Sequence, residues 1–236
     1  MIGEDITENL KTIDSIPLRL RDYSEFHVFQ TKSGILSRLS LESISSADAE
    51  ILKKFPRVRR AISTMPRHIE VRGEVYMTKK VFDEINREQQ KSGLPLFANP
   101  RNIAAGSMRQ LDPSVAASRK LDFLCWQLVT DLGQETHEEE HLIAHILGFK
   151  TVEIAERCKN TNAIMTLWKR VLDKRNGLPF LIDGIVVQVN SAAIFHELGV
   201  VGKTPRGAVA LKFPAEEATT IVERIAVQIG RTGVLT

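Results

Sequence analysis

Within two dozen residues the chain changes its hydrophobic period, and that change limits the fold most. Ile69, Val71, Val75 and Met77 alternate with Glu70, Arg72, Glu74 and Tyr76. A period of two predicts a strand with Glu70, Arg72 and Glu74 on one face. Thr78 then has the character of a helix N-cap, and Val81, Phe82 and Ile85 continue at helical spacing towards Gly93. A chain that makes this switch repeatedly without regular βα alternation is α+β with a largely antiparallel sheet.

The switch recurs. Asp122–Val129 reads as a strand. Thr136-His137-Glu138-Glu139 is a capping box ahead of Leu142, Ile143, Ile146 and Leu147. Asn162 is expected to open a third helix, burying Ile164, Leu167, Trp168, Val171 and Leu172 and closing at Asn176-Gly177. Asp183 leads into Ile185-Val186-Val187-Gln188-Val189, which predicts a buried strand, and 207–213 predicts another. In the latter, Val209, Leu211 and Phe213 are expected to face inward and Ala208, Ala210 and Lys212 outward. Residues 218–229 predict a further β unit. Residues 21–67 are charged and weakly patterned, apart from a short helix over 46–54, and read as an insertion or surface subdomain.

Composition excludes more than it selects. The 236 residues carry 32 Lys and Arg against 29 Asp and Glu, so a nucleic-acid partner would need local basic clusters. No apolar run approaches a membrane span, and the acidic start lacks a signal-peptide core, which leaves the cytoplasm as the expected location. Cys125 and Cys158 are expected to be reduced thiols, and no Cys-x-x-Cys offers a zinc ribbon. Gly202-Lys203-Thr204 resembles a P-loop tail, but Glu197 replaces the required glycine and Pro205 blocks the following helix. His137, His141 and His145 share a helix face with metal-like spacing, yet Leu142 stands where a zinc protease needs Glu, so a solvated face is expected. Arg57, Arg59 and Arg60 are read as solvated, not as a DNA contact.

Four segments carry chemistry. In Glu70-Val71-Arg72-Gly73-Glu74-Val75, Gly73 would let a ligand approach the backbone beside the Glu74 carboxylate. In Phe97–Gln110, Pro100 keeps Asn99 extended, small residues at 104–107 allow close packing, and Arg101 and Arg109 suit phosphate. Asp183 beside an apolar strand requires a cation or a metal as partner. Lys212, on a face of small residues, suits phosphate binding.

In this order the segments resemble the covalent nucleotidyltransferase core of NAD-dependent DNA ligases over nearly the whole chain. The Asn99–Gln110 stretch resembles that branch rather than ATP-dependent relatives. Gly3-Glu4-Asp5-Ile6-Thr7 resembles the stretch that follows the family's nucleophile, and Arg231-Thr232-Gly233 the opening of its oligonucleotide-binding barrel. The resemblance implies a nucleotidyltransferase (ATP-grasp-like) fold at 1–214 and the beginning of an OB-fold at 215–236.

It also implies the chemistry. Nicks are sealed between 3′-hydroxyl and 5′-phosphate, through enzyme–AMP and DNA-adenylate intermediates. Glu74 would contact the AMP ribose. Asp183 would place nucleotide and metal, and Lys212 would stabilise α-phosphate charge. Gln188 would hydrogen-bond adenine or phosphate, and Arg101 and Arg109 would meet nucleotide and DNA phosphates. NAD, magnesium (or manganese) and nicked duplex DNA are the implied partners. A monomer is the default, and a zinc site is expected only outside these residues.

Two departures stand out. No Lys-x-Asp-Gly occurs; the nearest match, Lys120-Leu121-Asp122-Phe123, lacks the glycine and follows the Asn99-Pro100-Arg101-Asn102 segment instead of preceding it. The adenylated lysine, together with the family's nicotinamide-recognising domain, is therefore expected outside this chain, and the chain alone is expected not to ligate. Gln188 also replaces a lysine usual in the family. The alternative is a non-catalytic module that binds AMP or nicked DNA.

Overall fold

The computed structural model describes residues 4–18, 20, 45–63, 66, 68–215 and 219–235. Gly3, residues 21–44 and the first residue of 218–229 lie outside the described residues.

Helix α1 (Thr7–Leu10) begins the described chain. α2 (Ser46–Lys54) and α3 (Pro56–Ser63) follow, with Ser45 capping α2 by accepting from the Asp48 N–H at 3.1 Å. Their Leu52, Val58, Ala61 and Ile62 enter the main core, so this part of the charged stretch is packed against the body.

Strand β1 (Val71–Tyr76) leads to α4 (Lys79–Lys91), capped by Thr78 as its sequence predicts. α5 (Pro100–Ser107) and α6 (Pro113–Ser118) precede β2 (Asp122–Leu128), which pairs antiparallel with β1. The register slips between Arg72 and Gly73. A Cβ on Gly73 would stand 2.1 Å from Phe123 Cζ and 2.5 Å from the Leu124 carbonyl oxygen. The space over Gly73 is thus filled by the protein's own ring, which corrects the expectation of a ligand approaching there.

α7 (His137–Ile146) forms the expected capping box: Thr136 Oγ1 accepts from Glu139 N, and Glu139 returns a carboxylate to the Thr136 N–H at 3.2 Å. Its Ile143 and Ile146, with Leu147, meet Phe123, Cys125 and Leu128 from the inner face of β2 in one core. Both cysteines are free; burial pushes the Cys125 thiol up to about 11, which keeps it unreactive.

α8 (Thr161–Lys174) starts two residues earlier than expected, because Asn160 is the cap and accepts from Ala163 N at 2.9 Å. Only Val171 on its apolar face is fully buried. A 3-10 turn, Arg175–Gly177, ends it. Strand β3 (Gly184–Gln188) leads to α9 (Ala192–Leu198) and a short hairpin, β4 (Val200–Val201) and β5 (Thr204–Pro205). β6 (Ala208–Lys212) then pairs antiparallel with β3.

This second sheet departs from expectation. Val186 is 69% and Val209 63% exposed, so β3 is not a buried strand and Val209 does not pack inward; Phe213 does. Residues 219–235 form no strand, only a bridge between Ile229 and Leu235, so the expected β unit is not seen there.

The two sheets are tied by backbone and ring contacts. Lys79 N donates to Pro179 O at 2.8 Å, Tyr76 meets Phe180 edge-on at 5.1 Å, and Asn190 receives the His137 and Glu138 N–H groups at 2.8 and 3.0 Å. No described helix is long and apolar enough to cross a membrane.

Candidate functional site

The last residue of β6 and the first of β3 lie opposite each other. A Cβ on Gly184 would stand 2.6 Å from the Leu211 carbonyl oxygen and 2.7 Å from Lys212 Cα. Only glycine allows this approach, and it sets Asp183 beside Lys212. Lys212 Nζ donates to Asp183 Oδ2, while Phe213 N donates to the Asp183 carbonyl at 2.8 Å and fixes the backbone. The Lys212 bond holds the Asp183 carboxyl below its ordinary range, with lesser help from Arg101. Both side chains remain largely exposed, so the pair itself adds little stability and stays open to an incoming anion.

Arg101 arrives from α5. The Asn99 side chain caps that helix by accepting from Arg101 N at 2.7 Å, and Pro100 fills the first helical position. Ile103, Ala104 and Ser107 are buried beneath it. Ala105 and Gly106 are exposed and a Cβ on Gly106 would meet nothing within 4 Å, so close packing rests on Ala104 and Ser107 alone. Arg101 Nε lies 3.1 Å from Glu74 Oε1 on β1. Four side chains from four segments therefore alternate in charge: Glu74, Arg101, Asp183 and Lys212.

Arg109 is placed apart from this row. It lies 3.8 Å from Glu4, in a turn whose Met108 and Gln110 carbonyls accept from Asn9 Nδ2 at 2.9 and 2.8 Å. Gln188 ends β3 opposite Ala208, four residues from Gly184 and so about 13 Å along the strand. It shares the Lys212 face by register but lines a small polar cavity with His137, Glu140, Asn190 and His196.

The histidine row is not simply solvated, as its spacing suggested. His137 Nδ1 sits 3.0 Å from Glu140, His141 Nε2 3.1 Å from the Trp126 carbonyl, and His145 Nε2 3.3 Å from the buried Asp48. Burial, then the charge of His137, pushes the His141 imidazole below its ordinary value. Arg57 likewise pairs with Glu135 at 2.7 Å and with Glu139. Among the described residues no group of three or more His, Cys, Asp or Glu converges as a metal site. A metal at Asp183 would therefore have to complete its shell from phosphate oxygens and water, as magnesium commonly does.

The arrangement suits a phosphorylated ligand: two exposed cations, each steadied by a carboxylate, at the end of a strand pair. A family model described as the NAD-dependent DNA ligase adenylation domain matches residues 42–216. The chain belongs to that family.

Its curated relatives agree. It is 42% identical over 238 residues to a DNA ligase of Acetivibrio thermocellus, covering 100% of this chain and 30% of that protein. It is 40% identical over 237 residues to the DNA ligase of Thermomicrobium roseum (99% and 29%) and 41% over 238 to that of Neisseria gonorrhoeae (99% and 24%). The chain thus spans less than a third of the length of these relatives. Sequence reasoning singled out Glu74, Arg101, Asp183 and Lys212 separately, but not their pairing into a row. It missed the hairpin β4–β5, whose signal was Gly202 before Lys203 between two apolar residues and Thr204.

Proposed function

We propose that these residues are the nucleotide-binding part of an NAD-dependent DNA ligase. Such an enzyme seals nicks by joining a 3′-hydroxyl to a 5′-phosphate through enzyme–AMP and DNA-adenylate intermediates. One observation carries the reading: the alternating row Glu74–Arg101, Asp183–Lys212, assembled from four separate segments. Residues 1–214 are read as adenylation domain, with α2 and α3 packed into its core rather than forming part of an insertion, and 215–236 as the beginning of an OB-fold.

Within this reading Lys212 releases Asp183 to meet the α-phosphate of NAD and stabilises the charge that builds there on transfer. Glu74 accepts from the ribose hydroxyls, and Arg101 steadies phosphate oxygens between the two carboxylates. Gln188 donates to adenine or phosphate without adding charge. Arg109, standing outside the row, contacts DNA phosphate together with Arg101. Magnesium, held by Asp183 and phosphate, would neutralise phosphate charge.

No Lys-x-Asp-Gly occurs in these residues, so adenylation is assigned to a lysine outside them. The test uses NAD labelled in its adenylate half, followed by denaturing separation. These 236 residues alone should take no covalent label. Joined to a segment supplying Lys-x-Asp-Gly ahead of Gly3, they should be labelled, and Lys212→Ala should lower that labelling at least tenfold. Equal labelling with and without Lys212 would refute the assignment.

A further inference from the structure

The tempting Gly202-Lys203-Thr204 motif is a hairpin turn. Val201 pairs with Thr204 and Val200 with Pro205, leaving Gly202 and Lys203 as a two-residue connection. Gly202 takes a φ of +64°, which such turns require and glycine supplies freely. No phosphate cradle exists here, yet the hairpin is firmly based. Arg206 N donates to Gly199 O at 3.0 Å, Val189 N donates to Gly207 O at 2.9 Å, and Gly207 is so close under Phe195 that a Cβ would stand 2.4 Å from the ring.

What it presents is unusual. Successive strand residues point to opposite faces, but Val200 and Val201 are 64% and 65% exposed. Neither face of the ribbon is covered by the described protein. Lys203 and Arg206 are also exposed, and among the described residues neither is ion-paired. From Val200 to Arg206 there is no carboxylate, and across 189–212 three Lys and Arg face a single acid, Glu197. In contrast, Arg57, Arg101 and Lys212 are each held by a carboxylate.

We propose that the β4–β5 hairpin is a contact for duplex DNA, with Lys203 and Arg206 on phosphates and the valines against the groove wall. The proposal rests on the ligase reading above and adds a binding element to it. A two-stranded ribbon is of a size that a DNA groove admits. Unpaired cations would release condensed counterions on binding, where paired ones would first have to break an ion pair. With Lys203 and Arg206 assigned to phosphates, which carry no sequence information, the contact is independent of sequence. It is joined to Lys212 through β6, which spans about 13 Å from Lys212 to Ala208, and Arg206 and the hairpin lie beyond that far end.

The test compares the full chain with Lys203→Ala/Arg206→Ala, measuring affinity for a nicked duplex from 50 to 300 mM salt, with sedimentation in parallel. The double variant should keep its circular dichroism and its affinity for AMP. It should weaken DNA binding about tenfold near 0.1 M salt and reduce the salt slope by about 1 to 2. A wild-type chain that binds AMP and DNA beside a variant with the same DNA affinity and slope overturns the hairpin contact and leaves the ligase reading standing. Unchanged DNA binding with altered self-association assigns the hairpin to a second copy and also overturns it. A wild-type chain that binds no DNA at all removes both.

Discussion

The β1–β2 sheet and the β3–β6 sheet are both antiparallel pairs closed by one glycine, yet they serve opposite ends. In the first, Phe123, Cys125 and Leu128 are buried against α7 and the helices α2 and α3. In the second, Phe213 is the buried apolar anchor, while Val186 and Val209 lie open to solvent. Gly73 makes room for a core ring; Gly184 makes room for a neighbouring backbone that carries Lys212. The same local device thus stabilises one sheet and aligns charge in the other. Stability should be concentrated where burial is complete, and ligand chemistry where it is not.

The largest contrast is expected in truncations. Leu147→Ala removes a fully buried side chain and should cost about 2–5 kcal/mol. Val186→Ala in the open sheet should cost under about 0.5 kcal/mol. Urea unfolding reads both, and comparable losses would break the contrast between sheets.

Glycine substitutions sharpen it. Gly73→Ala should destabilise by about 1–3 kcal/mol, since the Phe123 ring must move out of a packed core. Gly184→Ala pushes apart the strand ends that align Asp183 and Lys212, so AMP affinity should fall more than thermal stability does. The reverse order would place the structural burden in the second sheet.

A smaller effect lies at the edge of the first sheet. Burial alone would push the Asp122 carboxyl up, but bonds from Lys150, Ser15, Tyr76 and the Phe123 N–H outweigh it and hold it below 3.8. A depressed folded value adds stability above the unfolded pKa, lost as pH falls through the folded one. Asp122→Asn should cost about 1 kcal/mol at pH 7 and flatten the loss seen in urea melts between pH 5 and 3. An unchanged acid dependence would show that the Tyr76–Asp122–Lys150 cluster is not what couples this edge to pH.

Much of this was legible in the sequence where a side chain bonds its own neighbourhood. Thr78 and the Thr136 box announce helix starts because caps act within three residues. The charged row was legible as residue types but not as a row, since Glu74 and Lys212 meet partners from distant segments. Periodicity placed Val209 on the Phe213 side but could not show that nothing covers it. Gly73 suggested an open space because the ring that fills it comes from β2. The histidines looked solvated because Trp126 and Asp48, which hold His141 and His145, lie outside their helix.

The smallest expected effect on stability belongs to the residue with the largest expected role. Lys212→Ala breaks an exposed pair and should shift unfolding by under about 0.5 kcal/mol. Calorimetric titration of AMP into the wild-type chain and Lys212→Ala therefore tests the division of labour most directly. Affinity at least tenfold weaker in the variant, with matching melting curves, is the expected result. Equal affinity, or a loss that merely follows unfolding, would contradict a nucleotide site at the end of the open sheet.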